Sequence, residues 1–183
     1  MKWEIPEEDF RRILKENRLI FPGRKDFSMD SEGGDILRYP KAALEKGAWG
    51  QLGFHGVGGE WLSTSVDRFA TLLQYLDAHR NEMWIAPTGT VWKYQREREA
   101  VRSIDFQPAG DGSYRLTLQF DRAQLEPFDL YNVPLTVQLP TPTGWERAWI
   151  VIDGRATQIR SHDGMLQFEV PPSAKSVVLK GVG

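Results

Sequence analysis

Within residues 52–62, Leu-Gly-Phe-His-Gly-Val-Gly-Gly-Glu-Trp-Leu, an apolar strand-like run meets a histidine, glycines and a tryptophan. Glycines let a backbone turn sharply and keep bulky side chains away from a ligand. An imidazole at such a place can protonate a leaving group or stabilise developing negative charge. It can equally be a packed ring bonded to a backbone carbonyl, and residue type alone does not separate these readings of His55. The remaining histidines are His79 and His162. His79 falls near the end of a helical pattern, where the helix dipole favours a cation, and His162 lies beside the turn Asp163-Gly164. Neither pairs with His55 at a recognised metal-ligand spacing.

The chain has no cysteine, which excludes disulfides, thiolate nucleophiles and zinc-thiolate sites. The string His55-Gly56-Val57-Gly58-Gly59 resembles the His-Gly-Gly-Gly loop of some serine esterases, whose backbone N–H groups hold an oxyanion. No Gly-x-Ser-x-Gly elbow accompanies it, so Ser28, Ser31, Ser63 and Ser65 read as loop or cap residues.

The elements that must position His55 follow from periodicity. Pro6-Glu7-Glu8 opens a helix with Phe10, Ile13 and Leu14 on one face. Residues 24–38 lack a period and read as a long loop. Residues 40–46 form a short helix closed by Gly47, and 48–54 a buried strand. Ser65 caps a helix to about His79 with the stripe Phe69, Leu72, Leu73 and Leu76. Residues 83–87 read as a second short strand, followed by a helix from Thr88 to the charged run Arg96-Glu97-Arg98-Glu99.

Beyond that run the apolar period changes from 3.6 to 2. Tyr114, Leu116, Leu118 and Phe120 alternate with polar residues, and further strands are expected at 101–107, 135–139, 148–152, 157–160, 165–170 and 176–179. The turns at 109–112, Asp153-Gly154 and Asp163-Gly164 join them in the manner of an antiparallel β-sandwich. The expected fold class is therefore α+β, a partial (β/α)-type segment over 1–99 followed by a sandwich domain over 100–183.

The run 50–59 with Trp61-Leu62-Ser63-Thr64, the segment 69–80, Trp84-Ile85-Ala86-Pro87 and the helix to Arg98 resemble the last βαβα segment of the polysaccharide deacetylases, carbohydrate esterase family four. The resemblance covers about residues 40–98, and the following strands are similar to domains found behind such modules. It implies a distorted barrel, a divalent metal and hydrolysis of an acetyl ester or amide on a carbohydrate. It further implies that His55 is the general acid and Leu52 a wall of the acetyl pocket. The family's metal-binding histidines lie upstream, and residues 1–39 contain no histidine. Asp26, Asp30 or Glu60 is then the candidate base, with Trp61 beside the substrate.

A rival expectation is a non-catalytic carbohydrate-binding or assembly module. Exposed indoles stack on sugar faces, and Trp145, beside Gly144 after Pro140-Thr141-Pro142-Thr143, is the candidate platform. Lys and Arg number 23 against 25 Asp and Glu, a net charge of -2, so there is no electrostatic footprint for nucleic acid or an anionic membrane. The partner is expected to be a carbohydrate or an acetylated small-molecule substrate. The acidic start of the chain resembles no secretory signal, which makes the cytoplasm the default compartment. An incomplete barrel leaves strand edges uncovered, so a homo-oligomer is expected.

Overall fold

A computed structural model describes residues 36–60, 63–126 and 129–182, together with the backbone of 25–27. The helix expected at 6–17 lies outside these residues. Helices and mainly antiparallel sheets are both present, an α+β chain that divides into compact units between Ile85 and Ala86.

In the first unit, β1 (Lys25–Phe27) pairs in parallel with β2 (Leu52–Phe54). Residues 25–27 thus form a strand where the absence of a period suggests loop. Three residues are too few for a period to register. Between them runs α1 (Arg38–Lys46), which ends because Gly47 adopts φ 57° and its N–H reaches the carbonyls of Ala43 and Leu44. The strand expected from 48 is confined to β2.

A second parallel pair joins β3 (Gly56–Val57) to β4 (Ser63–Thr64). Then α2 (Val66–Ala78) begins at Ser65, whose side chain accepts the Arg68 N–H at 3.3 Å. Its inner face packs Phe69, Leu72 and Leu76 against Leu52, Phe54 and Ile36, with the Phe69 ring edge-on to Phe54 at 5.1 Å. Leu73 stands outside this stripe and is half exposed. Residues 84–87 form no strand.

The second unit starts with α3 (Thr88–Ala100), which meets the turn Arg122–Gln124 and the strand Leu135–Pro140, whereas the change of period alone attaches it to the preceding segment. Within the charged run at its end Arg98 and Glu99 are exposed, whereas Glu97 is fully buried. Its carboxylate accepts the N–H groups of Asn132 at 2.7 Å and Val133 at 3.0 Å. Asn132 in turn accepts from the N–H and hydroxyl of Ser173. Backbone N–H groups outside any ladder are thereby paired by side chains of the chain itself.

Among the described residues, seven strands follow α3: β5 (Val101–Pro108), β6 (Ser113–Phe120), β7 (Leu135–Pro140), β8 (Arg147–Ile152), β9 (Arg155–Arg160), β10 (Met165–Val170) and β11 (Val177–Val182). One sheet has the order β5-β6-β11-β8-β9, and β10 pairs with β7 in another. All of these pairings are antiparallel. One apolar core joins both sheets, with Leu116, Ile150 and Leu179 from the first and Val137, Leu166 and Phe168 from the second. The Asp153-Gly154 turn has both residues at positive φ, 47° and 84°, the mirror-type hairpin turn that matches strand twist. Asp153 Oδ1 also accepts the N–H groups of Lys175 and Ser176. At the β5–β6 turn, the hydroxyl of Ser113, and then its N–H, donate to Asp111 and hold that carboxyl below its ordinary 3.8. Among the described residues no helix is long and apolar enough to cross a membrane.

Candidate active-site loop

Strand β2 presents Leu52 and Phe54 to α2, and alternation leaves Gly53 on the opposite face. Leu52 is therefore half-buried in a packing role, on the helix-facing side of its strand. His55 follows at the strand's carboxyl end and is exposed, as is Glu60. The backbone of Asp26 stands opposite Gly53 in the parallel register. Its side chain lies outside the described residues, as do Asp30, Trp61, Ser28 and Ser31. Parallel strands bring their carboxyl ends to one edge, the edge where α/β proteins hold ligands.

The loop glycines accommodate this chain's own side chains. A Cβ on Gly56 would fall 2.7 Å from Ser63 Oγ, and one on Gly59 would fall 2.6 Å from the same atom. Residues 56–59 thus wrap closely around a serine that is 4% exposed. The ladder with β4 and the Gly58 N–H to Thr64 carbonyl bond, 2.9 Å, close the wrap. Ser63 is consequently buried, and Ser65 is engaged as the cap of α2. Thr64 is 1% exposed, and its hydroxyl has no hydrogen-bond partner among the described residues.

The other histidines are separately employed. His79 Nδ1 donates to the Tyr75 carbonyl at 2.8 Å while its ring stacks on Tyr75, with centroids 4.1 Å apart. His162 is exposed and faces Asp163 at 3.1 Å. No cluster of three or more metal-ligating side chains exists among the described residues. Among the described residues, therefore, no donor set around His55 fits the divalent metal that the deacetylase resemblance implies.

Trp145 belongs to the second unit and is half-buried. It meets Tyr114 edge-on at 5.5 Å and packs so closely on Gly181 that a Cβ there would lie 2.1 Å from the indole. One face of this ring is thus spent on its own backbone. The more exposed indole is Trp149, which periodicity does not single out because β8 is apolar on both faces. A strand at 25–27 and the buried state of Thr64 likewise carry no local pattern. Comparison of the chain with protein-family models, with characterised proteins and with solved structures finds no match.

Proposed function

We propose that the chain is a carbohydrate deacetylase-like hydrolase, with His55 at its reacting edge and the second unit a β-sandwich accessory domain. The observation that carries this reading is the parallel β1–β2 register, which sets Asp26 opposite Gly53, two residues before an exposed histidine at a strand's carboxyl end. In the proposed reaction water attacks the acetyl carbonyl, Asp26 takes the water proton, and His55 protonates the departing sugar oxygen or nitrogen as the carbonyl bond breaks. The products are acetate and the free sugar. No step is routed through a metal, since the described residues do not assemble a site for one.

The test is acetate release from a panel of O-acetyl and N-acetyl oligosaccharides. Release is expected from at least one member, with a loss of about 100-fold or more in Asp26→Asn. Absence of release across the panel contradicts the reading. The sandwich assignment rests on the common core of the two sheets and is tested by an experimental structure of the second unit. Self-association is part of the same proposal, supported by the exposure of Val66, Leu73, Trp84 and Ile85 on the first unit. Light scattering should return a mass above 20.9 kDa, and a monodisperse monomer would count against it.

A further inference from the structure

The outward face of the five-stranded sheet has a composition that its own packing does not explain. Trp149 is 42% exposed there. Directly opposite it stand Lys180 on β11 and Gln158 on β9. Two residues along the same face, Arg147 stands opposite Arg160. Neighbouring strands are about 4.8 Å apart and same-face residues along a strand about 7 Å apart, so these groups share one patch. Like charges placed directly opposite each other destabilise a sheet. Among the described residues, no ion pair relieves either arginine. Lys180 contributes to holding the Asp111 carboxyl down at the neighbouring turn, so part of its charge is answered within the chain. The one acid whose register places it on this face, Asp105, accepts from Gln119 Nε2 at 2.7 Å.

We propose that this face binds an acidic polysaccharide, with one sugar ring stacked on Trp149 and an adjacent carboxylate or sulfate held between Arg147 and Arg160. The chemistry matches residue by residue. An indole offers a flat apolar surface to the C–H face of a pyranose. Paired guanidinium forks suit planar or tetrahedral anions, and an anion between them turns an unfavourable pair into a favourable triplet. Gln158 and Lys180 on either side of the indole supply hydrogen bonds to hydroxyls. A single-stranded nucleic acid is the rival anion, but its successive bases call for several stacking rings. Among the described residues, Trp149 is the only aromatic that the strand registers place on this outward face. The site belongs to the second unit and needs no hydrolytic activity at the His55 loop.

The experiment titrates the full chain by calorimetry with a tetragalacturonate, a heparin-derived tetrasaccharide, a neutral galactan tetrasaccharide and a short oligothymidylate. At least one acidic saccharide is expected to bind, about tenfold or more tighter than the neutral one and the oligonucleotide. Trp149→Ala should weaken that binding by about tenfold or more. The double variant Arg147→Gln/Arg160→Gln should do the same and flatten its salt dependence. Its thermal midpoint should not fall, because the change removes a like-charge pair, which separates lost binding from lost folding. His55→Ala should bind as the wild type does, so this result is independent of acetate release. Equal binding of neutral and acidic sugars, tighter binding of the oligonucleotide, unchanged binding in Trp149→Ala, or no binding of either acidic sugar would each overturn the proposal.

Discussion

Glycine does different work in the loop at residues 55–65 and in the hairpin at Asp153-Gly154. In the hairpin, φ at Gly154 is 84° and nothing lies within 4 Å of the position a Cβ would take. The residue is there for its backbone angle. In the loop, Gly56 and Gly59 are there for space, since Ser63 Oγ occupies the volume a side chain would need. An angle requirement is local and recurs wherever strands of this twist are joined by two residues. A space requirement depends on which distant side chain arrives. A glycine-lined loop therefore reads from sequence as a ligand approach even where its glycines serve a buried serine of the same chain.

The same contrast separates the two units at large. The second unit has a core contributed by both of its sheets and a buried carboxylate that ties α3 to the chain at 132–133. Among its described residues, the first unit has a small cluster around Leu72 and several large apolar side chains exposed. Stability is thus expected to concentrate in the second unit, and function that needs an open edge in the first.

The largest expected effect follows from Glu97. Glu97→Ala leaves two backbone N–H groups unpaired and should destabilise the second unit by about 2–5 kcal/mol in urea unfolding. Glu97→Gln, which keeps one acceptor, should cost less. An unchanged transition midpoint in Glu97→Ala would remove the anchor from the comparison.

Next is the loop. Gly56→Ala should destabilise the first unit by about 1–3 kcal/mol through overpacking against Ser63 Oγ. Ser63→Ala should largely restore it, because the nearest remaining Ser63 atom, its Cβ, lies 3.7 Å away at ordinary contact distance. A double-mutant cycle measures this coupling directly. Additive effects would mean that the glycine is required for some reason other than Ser63.

The smallest effect concerns alkaline pH. Burial, with a smaller contribution from the Glu97 charge and against that of Arg96, raises the Tyr131 phenol above its ordinary 10.0. The folded chain keeps this proton where the unfolded chain releases it. Its contribution is fully present below pH 10.0 and is lost as pH rises through the folded value. The thermal midpoint should therefore fall more steeply above pH 10.0 in the wild type than in Tyr131→Phe. Parallel curves would show that the phenol is not the cause.

Much of the second unit is legible in the sequence. The strands at 101–182 announce themselves by alternation and by Asp-Gly turns, and their bounds shift by only a few residues. The helix over 66–78 is legible for the same reason, since Ser65 caps it and Phe69, Leu72 and Leu76 share one face. What escapes is whatever depends on a partner far along the chain. Glu97 sits in a run of four charged residues that reads as solvated until its N–H partners at 132–133 are known. Strand β1 is recognisable only through β2, and Trp149 is distinguished from Trp145 only by which face of the sheet lies open. At the candidate site His55 is exposed, whereas Leu52 is drawn into the helix-facing core. The Asp26 side chain, Asp30 and Trp61 lie outside the described residues.

The most direct test of the reading of this chain as a hydrolase compares its three histidines within one assay. Acetate release from acetylated oligosaccharides is measured for the wild type and for His55→Ala, His79→Ala and His162→Ala, with each fold checked by circular dichroism. The prediction is a loss of about 100-fold or more in His55→Ala alone, with the other two variants close to wild type. Equal rates in His55→Ala and the wild type would contradict it.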